Sequence, residues 1–64
     1  MNHFIELQEP NGTIVYFNAS QIVAITASGE SGTFILANGN KYEVKQSVKT
    51  VQEKLKQAGC TMPV

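Results

Sequence analysis

Two Asn-Gly dipeptides, each set between runs of alternating side chains, constrain this chain more than any other feature. Asn11-Gly12 separates residues 4–8 from 13–18, and Asn38-Gly39 separates 33–37 from 41–45. Asn-Gly flanked by alternating strands is the strongest short-range hairpin signal, because these two residues tolerate positive φ. Two hairpins are therefore expected. Since side chains alternate with a period of two, the length of each loop decides which residues share a face.

For the first bend, a two-residue Asn11-Gly12 loop would set Leu7 opposite Tyr16 and Ile5 opposite Asn18. A three-residue Pro10-Asn11-Gly12 loop pairs Glu9 with Thr13 instead, with Pro10 supplying a preset φ at the first turn position and Gly12 in the left-handed one. That register places Ile5, Leu7, Val15 and Phe17 on one face and Phe4, Glu6, Gln8, Ile14 and Tyr16 on the other. It keeps the core and solvent sets apart, so it is the expected one. The same reasoning applied to Asn38-Gly39-Asn40 favours an odd-length loop. Phe34, Leu36, Tyr42 and Val44 would then share the core face, leaving Ile35 with Lys41 and Glu43.

Residues 21–27 (Gln-Ile-Val-Ala-Ile-Thr-Ala) are apolar on both faces, which suits a central strand. Asn18-Ala19-Ser20 forms the corner before it, and Ser28-Gly29-Glu30-Ser31-Gly32 the turn after it. Residues 47–58 read as a helix with Ser47 as N-cap and a stripe of Val48, Val51, Leu55 and Ala58. Lys49, Gln52, Glu53 and Lys56 point outward, and Gly59 stands where a helix commonly ends. So short a helix is marginal alone and must dock on the sheet. The expected fold is α+β: a small antiparallel sheet of about five strands, two hairpins and a central strand, covered by one C-terminal helix. The domain spans residues 1–59, and 60–64 form a flexible tail.

At 64 residues there is room for one domain. A domain of this size buries only about 60% of its unfolded surface, and small domains commonly add disulfides, a metal or self-association. Cys60 is the only cysteine, and His3 and Cys60 lie at opposite ends with no spaced ligand cluster, so neither an internal disulfide nor a metal site is expected. Self-association remains by elimination. No apolar run approaches the roughly 18–20 residues of a membrane span. Met1-Asn2-His3-Phe4 shows no positive region before an apolar stretch, so no signal peptide is expected. With one unpaired cysteine, this points to the cytoplasm.

Catalysis requires a nucleophile, an acid or base and charge stabilisers held together. The chain has one histidine, no aspartate, no arginine and no tryptophan. His3 has no orienting carboxylate in local reach and is more simply an exposed terminal residue. Cys60 lacks the structured electropositive setting of a reactive thiol. Glu6 and Glu9 fall on opposite faces of one strand, so they are no glycosidase pair. Gly29-Glu30-Ser31-Gly32 joins two strands, whereas a phosphate loop leads into a helix. No catalytic residue, cofactor or metal is expected, and the chain is read as no enzyme.

Two binding surfaces remain. Phe4, Ile14 and Tyr16 share the face opposite the core and are the candidates for a protein partner, which could be a second copy. Charge is unevenly laid out: all five lysines follow residue 40, at positions 41, 45, 49, 54 and 56. Lys41, Lys45, Lys49 and Lys56 are the candidates for nucleic-acid contact, with Tyr16 or Tyr42 available for base stacking. The absence of arginine and the zero net charge weigh against that alternative. The simpler reading of the lysines is a solvated face, although an acidic front and basic back could favour partner contacts.

The motif order resembles the FlbD-type (SwrD) small flagellar proteins. The residues that carry the likeness are Asn11-Gly12, Asn18, Ile22 and Ile25, Asn38-Gly39-Asn40-Lys41-Tyr42, and Val44-Lys45 with Ser47-Val48 and Val51. They cover roughly residues 4–58 and are mostly turn and core positions. The chain departs from the family pattern at three places: Ser28-Gly29-Glu30-Ser31-Gly32 replaces its usual turn, Thr50 its capping-box acid, and Cys60 to Val64 its charged tail. The resemblance implies a small non-enzymatic accessory that acts through protein contacts at a motor or membrane complex. A more distant likeness links the chain to the strand–strand–helix part of LytTR-type DNA-binding domains, whose basic loop residues it lacks.

Overall fold

The computed structural model describes residues 3–59. Strands β1 (Phe4–Gln8) and β2 (Ile14–Asn18) form one hairpin, and a short 3-10 turn (Ala19–Gln21) leads on. Strands β3 (Ile22–Ser28), β4 (Gly32–Ala37) and β5 (Asn40–Val44) follow, and then helix α1 (Val48–Gln57). All pairings are antiparallel. The fold is α+β as expected, but the strands divide into a two-stranded sheet and a three-stranded sheet of order β3-β4-β5. The expected single sheet is thus corrected. The expected tail, with Cys60, lies outside the described residues.

The first hairpin has the three-residue loop. The Glu9 amide donates to Thr13 O (2.8 Å), the Gly12 amide to Glu9 O (2.8 Å), and Gly12 sits at φ +93. Ile5 pairs with Phe17 and Leu7 with Val15. Proline explains the choice. A two-residue loop would be closed by Pro10 and Thr13 as a hydrogen-bonded pair, and Pro10 has no amide hydrogen to donate.

The second hairpin departs from expectation. Ala37 pairs with Asn40, so the loop is the two-residue Asn38-Gly39, with both residues at positive φ (53 and 76) as a type I′ turn requires. The residue before this Asn-Gly is Ala37, whose amide is free to close the turn. Parity is therefore reversed on β4: Thr33, Ile35 and Ala37 are buried beside Tyr42 and Val44, while Phe34 and Leu36 share the outer face with Lys41 and Glu43. The expected conflict between apolar and charged residues there is relieved by geometry. The Lys41 ammonium lies over the Phe34 ring, 4.2 Å from its centroid, so the charge meets the electron-rich face of an outward aromatic ring.

The expected central strand is also corrected. β4, not β3, is the middle of its sheet, and β3 is an edge whose register shifts at Val23. That bulge leaves Val23 largely exposed (72%), so both faces of β3 can be apolar in sequence without both being buried.

Helix α1 begins after Ser47, whose hydroxyl accepts from the Thr50 amide (3.2 Å) and donates to Thr50 Oγ1 (3.1 Å). Thr50 thus supplies a hydroxyl where a capping box carries an acid. Lys54 and Lys56 in the last turn suit the negative end of the helix dipole. The helix lies against β1, β3 and β4, and Val51 and Leu55 are fully buried with Ile5, Leu7, Phe17, Ala19, Ile35, Ala37 and Val44. The span leading to the helix ties the sheets together. Lys45 N–H donates to Gln8 O (2.8 Å), Gln8 N–H to Gln46 Oε1 (2.9 Å), and the buried Thr33 hydroxyl to Gln46 O (2.7 Å).

Candidate docking surface

The register of the first hairpin makes its outer face. With Ile5, Leu7, Val15 and Phe17 turned to the core, the even-numbered residues Phe4, Glu6, Gln8, Ile14 and Tyr16 must face away. Of the five exposed large apolar side chains among the described residues, three lie here: Phe4 (60% exposed), Ile14 (49%) and Tyr16 (63%). Tyr16 is opposite Glu6, with Phe4 and Ile14 at the neighbouring positions of the two strands. All three are exposed, Glu6 is the one charge among the five outward positions, and Lys54 near the end of the helix lines a groove with Phe4 and Glu6. The structure thus brings the three partner candidates onto one surface, as their parity implied.

The lysines are not gathered in the same way. Lys41 is engaged over Phe34. Glu43 stands between Lys41 and Lys45 in the alternation of β5, and its carboxylate accepts from the Ser28 hydroxyl (2.7 Å). On the helix, Glu53 falls between Lys49 and Lys56 on one stripe. In these two pairs a carboxylate therefore lies between the lysines, which works against a continuous track for a phosphate backbone along either element. His3 and Glu6 line an open groove of about 340 Å³ with Lys54 and the end of the helix. Among the described residues no group of His, Cys, Asp and Glu could hold a metal ion, and no helix is long and apolar enough to cross a membrane.

One feature escaped sequence reasoning. Tyr42, expected in the core, is partly exposed and packs edge-to-face on Phe17, with ring centroids 5.4 Å apart. Together with Val15, Tyr16, Ala37 and Asn38 these two rings line an open cleft of about 190 Å³ beside β2. The signal lay in the Ala37-Asn38-Gly39-Asn40 loop, because a two-residue turn there brings Tyr42 opposite Ile35 on the inner layer.

Neither the curated proteins nor the solved structures give a significant match to the chain. A family model described as flagellar and swarming motility proteins, FlbD, matches residues 4–59. The match begins at β1 and ends at the residue that closes the helix, so it takes in every element of the fold. On that coverage the chain belongs to the FlbD family of flagellar and swarming motility proteins.

Proposed function

We propose that this chain is a non-enzymatic accessory of flagellar or swarming motility that works in the cytoplasm by docking on a protein through the outer face of its β1–β2 hairpin. One observation carries the reading: Phe4, Ile14 and Tyr16 are gathered on a single exposed face of a hairpin whose other face is core. Exposed apolar side chains scattered singly need no explanation, but a patch of them marks an interaction site. Aromatic anchors are the residue types that dominate interface energetics. The small chemical repertoire supports the non-enzymatic part, since one histidine and no aspartate or arginine leave little from which to build a catalytic centre.

In-cell photocross-linking tests the reading directly. A photoreactive phenylalanine analogue at Tyr16 should give a discrete adduct with a motility protein or a second copy, whereas the same group at Lys49 on the solvated helix face should give none. Equal labelling from both positions, or none from Tyr16, would remove the docking face.

A further inference from the structure

Edges, not only faces, distinguish the strands of this fold. In the first hairpin Glu9 and Thr13 form a hydrogen-bonded pair, and at the far end the Ala19 amide donates to His3 O (2.8 Å). Hydrogen-bonded pairs alternate along an antiparallel ladder, so the odd-numbered residues exchange bonds across it. The even-numbered ones direct their N–H and C=O groups outward. On β1 that outward edge is occupied at Gln8, by Lys45 and Gln46. On β3 it is interrupted by the bulge at Val23. β2 has neither device. It is regular and carries no charge or proline (Ile-Val-Tyr-Phe-Asn), and the main-chain groups of Ile14 and Tyr16 and the Asn18 amide point away from β1 with no strand beside them among the described residues, while the Asn18 carbonyl caps the 3-10 turn. Natural sheets guard such an edge with charges, proline, bulges or cover.

We infer that the free edge of β2 pairs with β2 of a second copy, antiparallel about a two-fold axis through Tyr16, joining two hairpins into one four-stranded sheet. The inference goes beyond the docking reading above, because it engages the edge of β2 and leaves the outer face of the hairpin open. A two-fold axis at Tyr16 sets Tyr16 against its own copy and Ile14 against Asn18. Tyr16 can exchange two bonds with its copy and each Asn18 amide can donate to an Ile14 carbonyl, so about four hydrogen bonds can form, the Asn18 carbonyls being held in the 3-10 turns. The charges permit it: β2 is neutral, and Glu6 lies one strand further in on each side. The two carboxylates are then three strand spacings apart, about 14 Å, beyond the roughly 8 Å screening length at physiological salt. The cleft beside β2 adds an apolar wall of Val15, Phe17 and Tyr42 against which the partner's Val15 can pack. A five-residue edge is only about 17 Å long and falls short of the roughly 1,200 Å² of a standard interface. The pairing is therefore weak and concentration-dependent.

Amide hydrogen exchange on the intact chain, followed by NMR from about 10 µM to about 1 mM, reads the edge directly. The Val15 and Phe17 amides, bonded to β1, should be protected throughout. Those of Tyr16 and Asn18, whose acceptors across the pairing are free, should exchange rapidly when dilute and about tenfold more slowly when concentrated. Sedimentation should show monomer giving way to dimer over the same range. Tyr16→Pro, which removes the central N–H, should abolish the dimer, whereas Tyr16→Thr, which keeps it, should weaken it only a few-fold. A monomer at every concentration overturns the pairing, as does a dimer whose Tyr16 and Asn18 amides stay unprotected. Cross-links from Tyr16 to another protein in either case would leave the docking reading standing, so the two failures are distinguishable.

Discussion

The two hairpins are built around the same dipeptide and come out differently. In the first, Pro10 precedes Asn11-Gly12, cannot donate a hydrogen bond, and forces the loop to three residues. In the second, Ala37 precedes Asn38-Gly39, its amide can close the turn, and the loop is two residues. One residue before the turn thus sets which side chains are buried on four strands. The outer faces differ as well. The second hairpin sets the Lys41 ammonium over its outward Phe34, and the first leaves Phe4, Ile14 and Tyr16 exposed. The fold thus sets a cation over one outward aromatic ring and leaves the other outward apolar face exposed, and the proposed docking rests on the second.

The sharpest way to break this comparison is to reverse the parity of β4. Ile35 is fully buried and Leu36 only partly, so Ile35→Ala should cost about 2–4 kcal/mol and Leu36→Ala about 1 kcal/mol or less. Urea unfolding measures both, and the opposite order would restore an odd-length second loop. Next in size are the turns. Gly39 and Gly12 both sit at positive φ with open space where a side chain would go. Gly39→Ala and Gly12→Ala should each cost about 1–2 kcal/mol from backbone strain alone. Asn38→Gly, which keeps the conformation available, should change stability by only a few tenths of a kcal/mol.

Smaller again is the effect of removing the overlying cation. Lys41→Ala should destabilise by about 0.5–1 kcal/mol through the lost contact with Phe34. Tyr16→Ser, on the bare hairpin, should stay within about 0.5 kcal/mol of the parent. Thermal melts of the two variants side by side test this ranking. A Tyr16→Ser variant that melts well below Lys41→Ala would mean that the tyrosine is a packing residue after all.

Much of this was legible in the sequence because the local signals agreed with the tertiary ones. The helix was readable from Ser47, Val51 and Leu55, and the first hairpin from Pro10 and the clean separation of Ile5 and Leu7 from Glu6. The exposed trio Phe4, Ile14 and Tyr16 followed from that register alone. The second hairpin was misread because Phe34 and Leu36 look like core residues. Sequence alternation does not register that a lysine ammonium can lie over an outward ring. Ile35, the residue that the odd register exposed, proves to be among the most buried. β3 looked central because both its faces are apolar, and nothing in the sequence announces the bulge that turns Val23 outward. The expected single sheet divides for a related reason. The Lys45–Gln8 link that joins the two halves lies between residues far apart in the chain, where no short-range pattern reaches.

Motility of cells whose only copy carries Tyr16→Ser, compared with cells carrying Lys41→Ser, measures the separation of binding from structural surface most directly. Swarming should fail with Tyr16→Ser, although that chain is as stable as its parent, and should persist with Lys41→Ser, although that chain is less stable. Normal swarming with Tyr16→Ser, at a parental level of folded protein, would contradict the account.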